Sequence, residues 1–133
     1  MSNMSEVAEG TWGLYPWFEE HGVHCVHSND IDDFRTLSPY GKVFLCTGQE
    51  NEFIKLTYGE RTFRVKPDLF SSVPSIQFPI GTKVVIRSKN SDAIVDEIHW
   101  HHRDAKPIYF VRRDGKRDSR RYSSDDLDIH HVE

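Results

Sequence analysis

The dipeptide Asp114-Gly115 sits between two β-prone runs, Pro107 to Arg113 and Lys116 to Tyr122. A two-residue hairpin turn of the I′ type needs positive φ at both central positions, which Asp and Gly adopt at least cost. The second half of the chain must therefore contain an antiparallel hairpin, with Arg113 opposite Lys116 and Arg112 opposite Arg117. Alternation along the hairpin puts Tyr109, Val111 and Tyr122 on one face, the expected core face, and Ile108, Phe110 and Arg121 on the other.

The rest of the β pattern grows outward from that hairpin. Before it, Gly81 opens a strand at Thr82 to Arg87, a polar loop covers Ser88 to Asp92, and a longer strand runs from Ala93 to Trp100 with Ile94, Ile98 and Trp100 on one face. After it, Ser123 to Leu127 suits one helical turn, and Asp128 to His130 a closing strand. Upstream, Lys42 to Thr47, Glu52 to Tyr58 and Arg61 to Lys66 form a three-stranded meander, with the turn signals Gly48 to Asn51 and Gly59-Glu60 between them. Pro67, Pro74 and Pro79 make residues 67–80 a connector without a continuous ladder.

The N-terminal third differs. Residues 1–11 are small and acidic with no apolar period and are expected to be a disordered tail. Trp12 to Phe18, with Trp12, Leu14, Tyr15, Trp17 and Phe18 around Gly13 and Pro16, suits an arm laid over a core. Val23 to His27 suits a short strand. Ile31, Phe34 and Leu37 make one apolar stripe of a short helix, for which Asn29 is the expected N-cap and whose first turn is acidic. The organisation expected is a tail at 1–11, a unit of arm, helix and meander at 12–74, and a β-barrel unit at 75–133.

Two echoes suggest that these units are related. Gly41-Lys42-Val43-Phe44 resembles Gly81-Thr82-Lys83-Val84-Val85, and the exit through Pro67-Asp68-Leu69 resembles that through Asp125-Asp126-Leu127. Reuse of Gly and Asp in β-turns is the alternative. With its five-residue loop, long strand, Asp-Gly hairpin, one-turn break and closing strand, the second half resembles the small SH3-like barrels of the Tudor and KOW type. The run Ile94, Ile98, Trp100, Tyr109, Val111, Asp114-Gly115, Arg121-Tyr122 and Asp126-Leu127 also resembles a family of short uncharacterised bacterial proteins. The fold class expected is mainly β with a minor helical part, in which tandem SH3-like units are one arrangement. Such barrels host many unrelated binders, so the resemblance implies a fold and no particular activity. The complete aromatic cage and acidic partner of a methyl-lysine reader are not found among these residues.

Composition narrows the functional classes. Of the 133 residues, 37% are hydrophobic, and eight Phe, five Tyr and three Trp supply a core, so a globular chain is expected. No apolar run approaches the roughly 18 residues of a membrane span, and MSNMSEVAEG lacks the basic and apolar stretches of a secretory signal. A cytoplasmic protein without membrane contact is expected, with Cys25 and Cys46 as buried thiols.

Charge is polarised along the chain. Through residue 40 one base, Arg35, stands against seven acids, whereas from Arg103 to Arg121 eight bases stand against three acids. The pI near 6.0 argues against a protein that coats nucleic acid with its whole surface. The candidate binding residues are Phe110, Arg112, Arg113, Lys116, Arg117 and Arg121. Like charges opposed across a ladder destabilise it modestly, so an anion that neutralises them would be welcome. A charged edge that blocks aggregation, compensated by Asp114 and Asp118, is the competing reading.

His99, His101 and His102, and separately His21, His24, Cys25 and His27, lack the spacings of known zinc sites, so neither a metal nor another cofactor is expected. No nucleophile elbow, phosphate loop or dinucleotide fingerprint is present, and the chain is not expected to be an enzyme. Asp32-Asp33 and Asp125-Asp126 suit helix starts better than shared acid–base chemistry. The leading expectation is a non-enzymatic module that binds an acidic or phosphate-bearing protein partner. The alternatives are a stoichiometric inhibitor acting through Glu19, Glu20, Asp30, Asp32 and Asp33, and a single-stranded nucleic-acid binder stacking bases on Phe110.

Overall fold

The computed structural model describes residues 7–130. The fold is mainly β, with two antiparallel five-stranded sheets and one short α-helix, and the chain divides into compact units at Ser75–Ile76.

In the first unit the sheet is built from β1 (Trp12–Leu14), β2 (Val43–Glu50), β3 (Phe53–Tyr58), β4 (Arg61–Val65) and β5 (Ser71–Ser72), in the order β4-β3-β2-β1-β5. The expected meander is therefore the centre of a larger sheet. Trp12 to Leu14, expected as an arm, is a strand that pairs with both β2 and β5. Gly13 makes this possible, because a Cβ there would lie 2.7 Å from the Ser71 carbonyl oxygen. The connector expected after Pro67 supplies a helical turn, Pro67–Leu69, and the two residues of β5. Of the expected tail, residues 1–6 lie outside the described residues, while Gly10 and Thr11 run beside β2: the Gly10 N–H donates to the Cys46 carbonyl and the Cys46 N–H to that of Thr11, both at 2.8 Å.

Three local expectations change. Val23–Cys25 is a 3₁₀ turn and only Val26 joins the sheet, bridging Val65. The helix α1 (Ile31–Leu37) is capped by Asp30, not Asn29, and the Asp30 carboxylate makes no bond to the helix because Arg64 takes it. Gly48 to Glu50, expected in a turn, continue β2 past a bulge at Thr47, and the chain reverses at Asn51, where φ is +56°. The bulge lets the strand keep pairing while its alternation shifts by one residue. Phe34, fully buried, holds α1 to the sheet through ring contacts with Tyr15, Trp17, Phe44 and Phe63 at 5.1–5.9 Å.

The second unit holds β6 (Lys83–Ile86), β7 (Ser91–His101), β8 (Lys106–Arg113), β9 (Lys116–Arg117) and β10 (Leu127–Ile129), in the order β10-β6-β7-β8-β9. A 3₁₀ turn, Ser124–Asp126, precedes β10 as the sequence predicts. The hairpin register is the expected one, with φ of +53° at Asp114 and +77° at Gly115. Tyr109, Val111 and Tyr122 are buried as expected, together with Phe78, Val84, Ile86, Val95, Ile98 and Leu127. The strand expected through Tyr122 stops at Arg117, and Tyr122 rejoins β8 as a single bridge to Tyr109. Ile94 does not share a face with Ile98: a bulge at Asp96 turns Ile98 inward and leaves Ile94 44% exposed.

The two sheets have the same strand order counted within each unit, the same helical turn before the fifth strand, and a bulge in the second strand. The echo between Pro67-Asp68-Leu69 and Asp125-Asp126-Leu127 falls on the two corresponding helical turns but one residue out of step, since Pro67–Leu69 matches Ser124–Asp126. That between Gly41 and Gly81 falls on unlike places, since β2 is a second strand and β6 a first.

Candidate functional site

The candidate site is the outer face of the second sheet, and the bulge in β7 shapes it. Because Asp96 is the extra residue, Asp96 and Glu97 both face the arginines of the hairpin. Arg112 Nε donates to Asp96 Oδ1 at 3.0 Å, and Arg117 reaches Glu97 Oε2 at 3.1 Å and Asp96 Oδ2 at 3.7 Å. Arg112 and Arg117 remain direct cross-strand partners. Their repulsion is relieved by two carboxylates that come from sequence neighbours on a third strand.

Phe110 lies within this cluster. The Arg117 guanidinium stands 4.8 Å from its ring centroid, a cation–π distance, and His99 meets its edge at 4.8 Å. His99 Nε2 is 2.8 Å from Glu97 Oε1, whereas His101 turns to Asp104, so these two histidines are engaged separately. Across the sheet, Lys83, Ile94, Arg112 and Arg117 are successive register partners, and a depression of about 360 Å³ lies over Ile94, bordered by Lys83, Asp92, Arg112, Asp114 and His130. The face thus offers a row of three cations around one exposed apolar side chain.

The six candidate residues are not all on this face. Phe110, Arg112 and Arg117 come together. Arg113 alternates to the other side, where its guanidinium approaches Asp118 at 3.2 Å and Ser91 Oγ at 3.3 Å. Lys116, its cross-strand partner, is exposed at the hairpin tip, and Arg121 is exposed beside Tyr122. Asp118, expected from the sequence as a local compensating acid, is the hub of this other side. Its side chain is only 6% exposed, and it accepts from the Arg120 N–H at 2.9 Å and the Tyr122 hydroxyl at 2.8 Å, with Lys89 at 3.7 Å. These donors, the Arg120 N–H first, hold its carboxyl below the usual carboxylate range.

In the first unit the strongest cluster is structural. Asp30 accepts from the Arg64 N–H at 2.9 Å and from its guanidinium at 2.9 and 3.1 Å, which lowers the Asp30 pKa; Glu50 adds a contact to Arg64 at 3.5 Å. Asp30 is therefore committed to the fold, while Glu19 and Asp32 pair with Arg35. A polar depression of about 370 Å³ holds His24, Cys25, Gln49, Lys66 and Asp68, with Cys25 Sγ 3.9 Å from His24 Nε2. Burial pushes the Cys25 thiol up, the reverse of what an activated nucleophile needs. Cys25 and Cys46 are both buried and unpaired.

With this geometry in view, the comparisons with known proteins add one finding. The family of unknown function DUF6960 matches residues 4–128. The chain belongs to DUF6960. The match spans both sheets, so DUF6960 describes the pair of units together. No curated protein and no solved structure matches the chain. Among the described residues, no helix is long and apolar enough to cross a membrane.

Proposed function

We propose that the chain is a non-enzymatic binding module of the cytoplasm whose second unit, an SH3-like barrel, takes an acidic or phosphate-bearing protein partner on the face carrying Phe110, Arg112 and Arg117, with Arg113, Lys116 and Arg121 around it. The observation that supports this reading is the opposed Arg112–Arg117 pair beside a half-buried aromatic ring. The strand order and the helical turn before β10 fit the SH3-like assignment, and those of the first unit fit a tandem.

The internal carboxylates do not prevent binding. Exposed ion pairs are worth about 0–1 kcal/mol each, so a partner's carboxylate or phosphate can replace Asp96 or Glu97 as the acceptor at little cost. A planar guanidinium donates to either group in a forked geometry, and that of Arg117 lies over the Phe110 ring.

The test is capture of partners from lysate of the source cell, with and without nuclease, by the wild type and by Arg112→Glu/Arg117→Glu, after circular dichroism shows that both are folded. A partner held by the wild type and lost from the variant is the expected result. Sensitivity to nuclease would transfer the reading to nucleic acid, whose binding weakens steeply with salt as counterions are released. Equal capture by both proteins would refute it.

A further inference from the structure

The first unit shows what one of its own sheet edges holds, and among the described residues the matching edge of the second unit has no such neighbour. Counting back from the helical turn before the fifth strand, Arg64-Val65-Lys66 stands where Arg121-Tyr122-Ser123 stands. Val65 pairs with Ile54 on β3, as Tyr122 bridges Tyr109 on β8, and both Val65 and Tyr122 are buried.

On the far side of Val65 lie residues 25–30 of the same chain. Val26 bridges Val65, the His27 N–H donates to the Arg64 carbonyl at 2.9 Å, and the Lys66 N–H donates to the Cys25 carbonyl at 2.7 Å. Four residues after Val26, the Asp30 carboxylate closes on the Arg64 guanidinium. This is strand addition secured by one carboxylate–arginine fork. The segment comes from the connection between β1 and β2, residues 15–42.

The second unit has no such connection to spend. Residues 87–90 link β6 to β7, and four residues reach at most about 14 Å when extended. Among the described residues, none bridges Tyr122 on its far side, and Arg121 has neither an ion pair nor a main-chain hydrogen bond. Arg120, also exposed, adds a second cation beside it. The Ser123 N–H is already bonded to Asp126 Oδ2 at 2.8 Å, so this edge offers one donor fewer than the Lys66 edge.

We propose that the edge at Arg121–Tyr122 receives an extended acidic segment of a partner protein, in which an apolar residue set against Tyr122 is followed four residues later by a carboxylate that closes on Arg121. This rests on the reading of the second unit as the binder of an acidic partner and names the form that partner takes. An unpaired sheet edge supplies the main-chain affinity, and the arginine supplies the selectivity for acid.

The probe is a synthetic peptide with the sequence of residues 22–31 carrying Cys25→Ser, titrated into the full-length chain and followed through backbone amide resonances. The expected result is perturbation at Arg120 to Ser123, with affinity at least tenfold weaker for Arg121→Glu and for the peptide carrying Asp30→Asn. Perturbation confined to Arg64–Lys66, or unchanged affinity in Arg121→Glu, would overturn the proposal. Arg112→Glu/Arg117→Glu separates the two readings when the lysate partner is used. If that partner is lost from Arg112→Glu/Arg117→Glu yet retained by Arg121→Glu, the hairpin face stands and the edge falls; if both retain it, both fall.

Discussion

The two units share a strand order and diverge in how they fill the same places. Two residues beyond the bulge partners Leu56 and Val111 come Tyr58 in the first unit and Arg113 in the second. Opposite those same partners come Phe63, paired with Leu56, and Asp118, whose N–H donates to the Val111 carbonyl at 2.8 Å. Aromatic side chains in one unit thus match an ion pair in the other. The difference follows from loop length. The long connection of the first unit brings Phe34 over Phe63, so large apolar groups there are covered; the short connection of the second, residues 87–90, brings no apolar cover but only Lys89, 3.7 Å from Asp118, and there a charge pair is tolerated because its members neutralise one another. The lesson is that the inserted segment, more than the sheet, decides which of these places is filled by apolar rings and which by charge.

The largest expected effect breaks the closed unit. Phe34→Ala removes a fully buried ring with four aromatic neighbours and should cost about 3–5 kcal/mol, read as a lower urea midpoint and lost amide protection in β2 to β4. Next, Asp118→Ala strips Arg113, Lys89 and the Tyr122 hydroxyl of their common acceptor and should cost about 2–3 kcal/mol, with the loss of protection centred on β8. Gly115→Val places a β-branched residue at φ of +77° and should cost about 1–2 kcal/mol, sharpening the hairpin's contribution to the second unit alone.

Acid should affect both units for matching reasons. Asp30 and Asp118 have folded-state pKa values below the usual carboxylate value. Each contributes stability that is present in full above the unfolded value, about 3.9, and is lost as pH falls through the folded one. The urea midpoint should therefore drop below about pH 4, and Asp30→Asn or Asp118→Asn should flatten that drop in the unit it belongs to. The smallest effect on stability is expected for Asp96→Asn/Glu97→Gln. These half-exposed pairs should change it by about 1 kcal/mol or less while raising affinity for an anionic peptide, measured by calorimetry.

What was legible in the sequence was what local chemistry dictates. Asp114-Gly115 set its turn and register, and the alternation of Tyr109, Val111 and Tyr122 set the core face. The misses at Gly48 to Glu50 and at Ile94 share one cause: a residue that breaks alternation without breaking the strand. Asp96-Glu97 between Val95 and Ile98 is two polar residues where alternation allows one, which is the signature of a bulge. Reading it would have moved Ile94 outward and placed both acids against Arg112 and Arg117. The expectation of Asn29 as the cap, with Asp30 in the first turn, is a different kind of miss: the pairing of Asp30 with Arg64, thirty-four residues away, is a long-range contact that no local pattern carries. Likewise, the separation of Arg113 from Arg112 follows from alternation, but its commitment to Asp118 depends on the chain returning past β9.

The most direct test of the central claim, that the second unit binds acid while the first is closed, is a titration of the full-length chain with a poly-glutamate peptide at low and high salt, followed residue by residue through amide resonances. The account predicts perturbation at Phe110, Arg112, Arg117 and Arg121 that fades as salt is raised. Perturbation centred on the first unit, or none at these four residues, would contradict it.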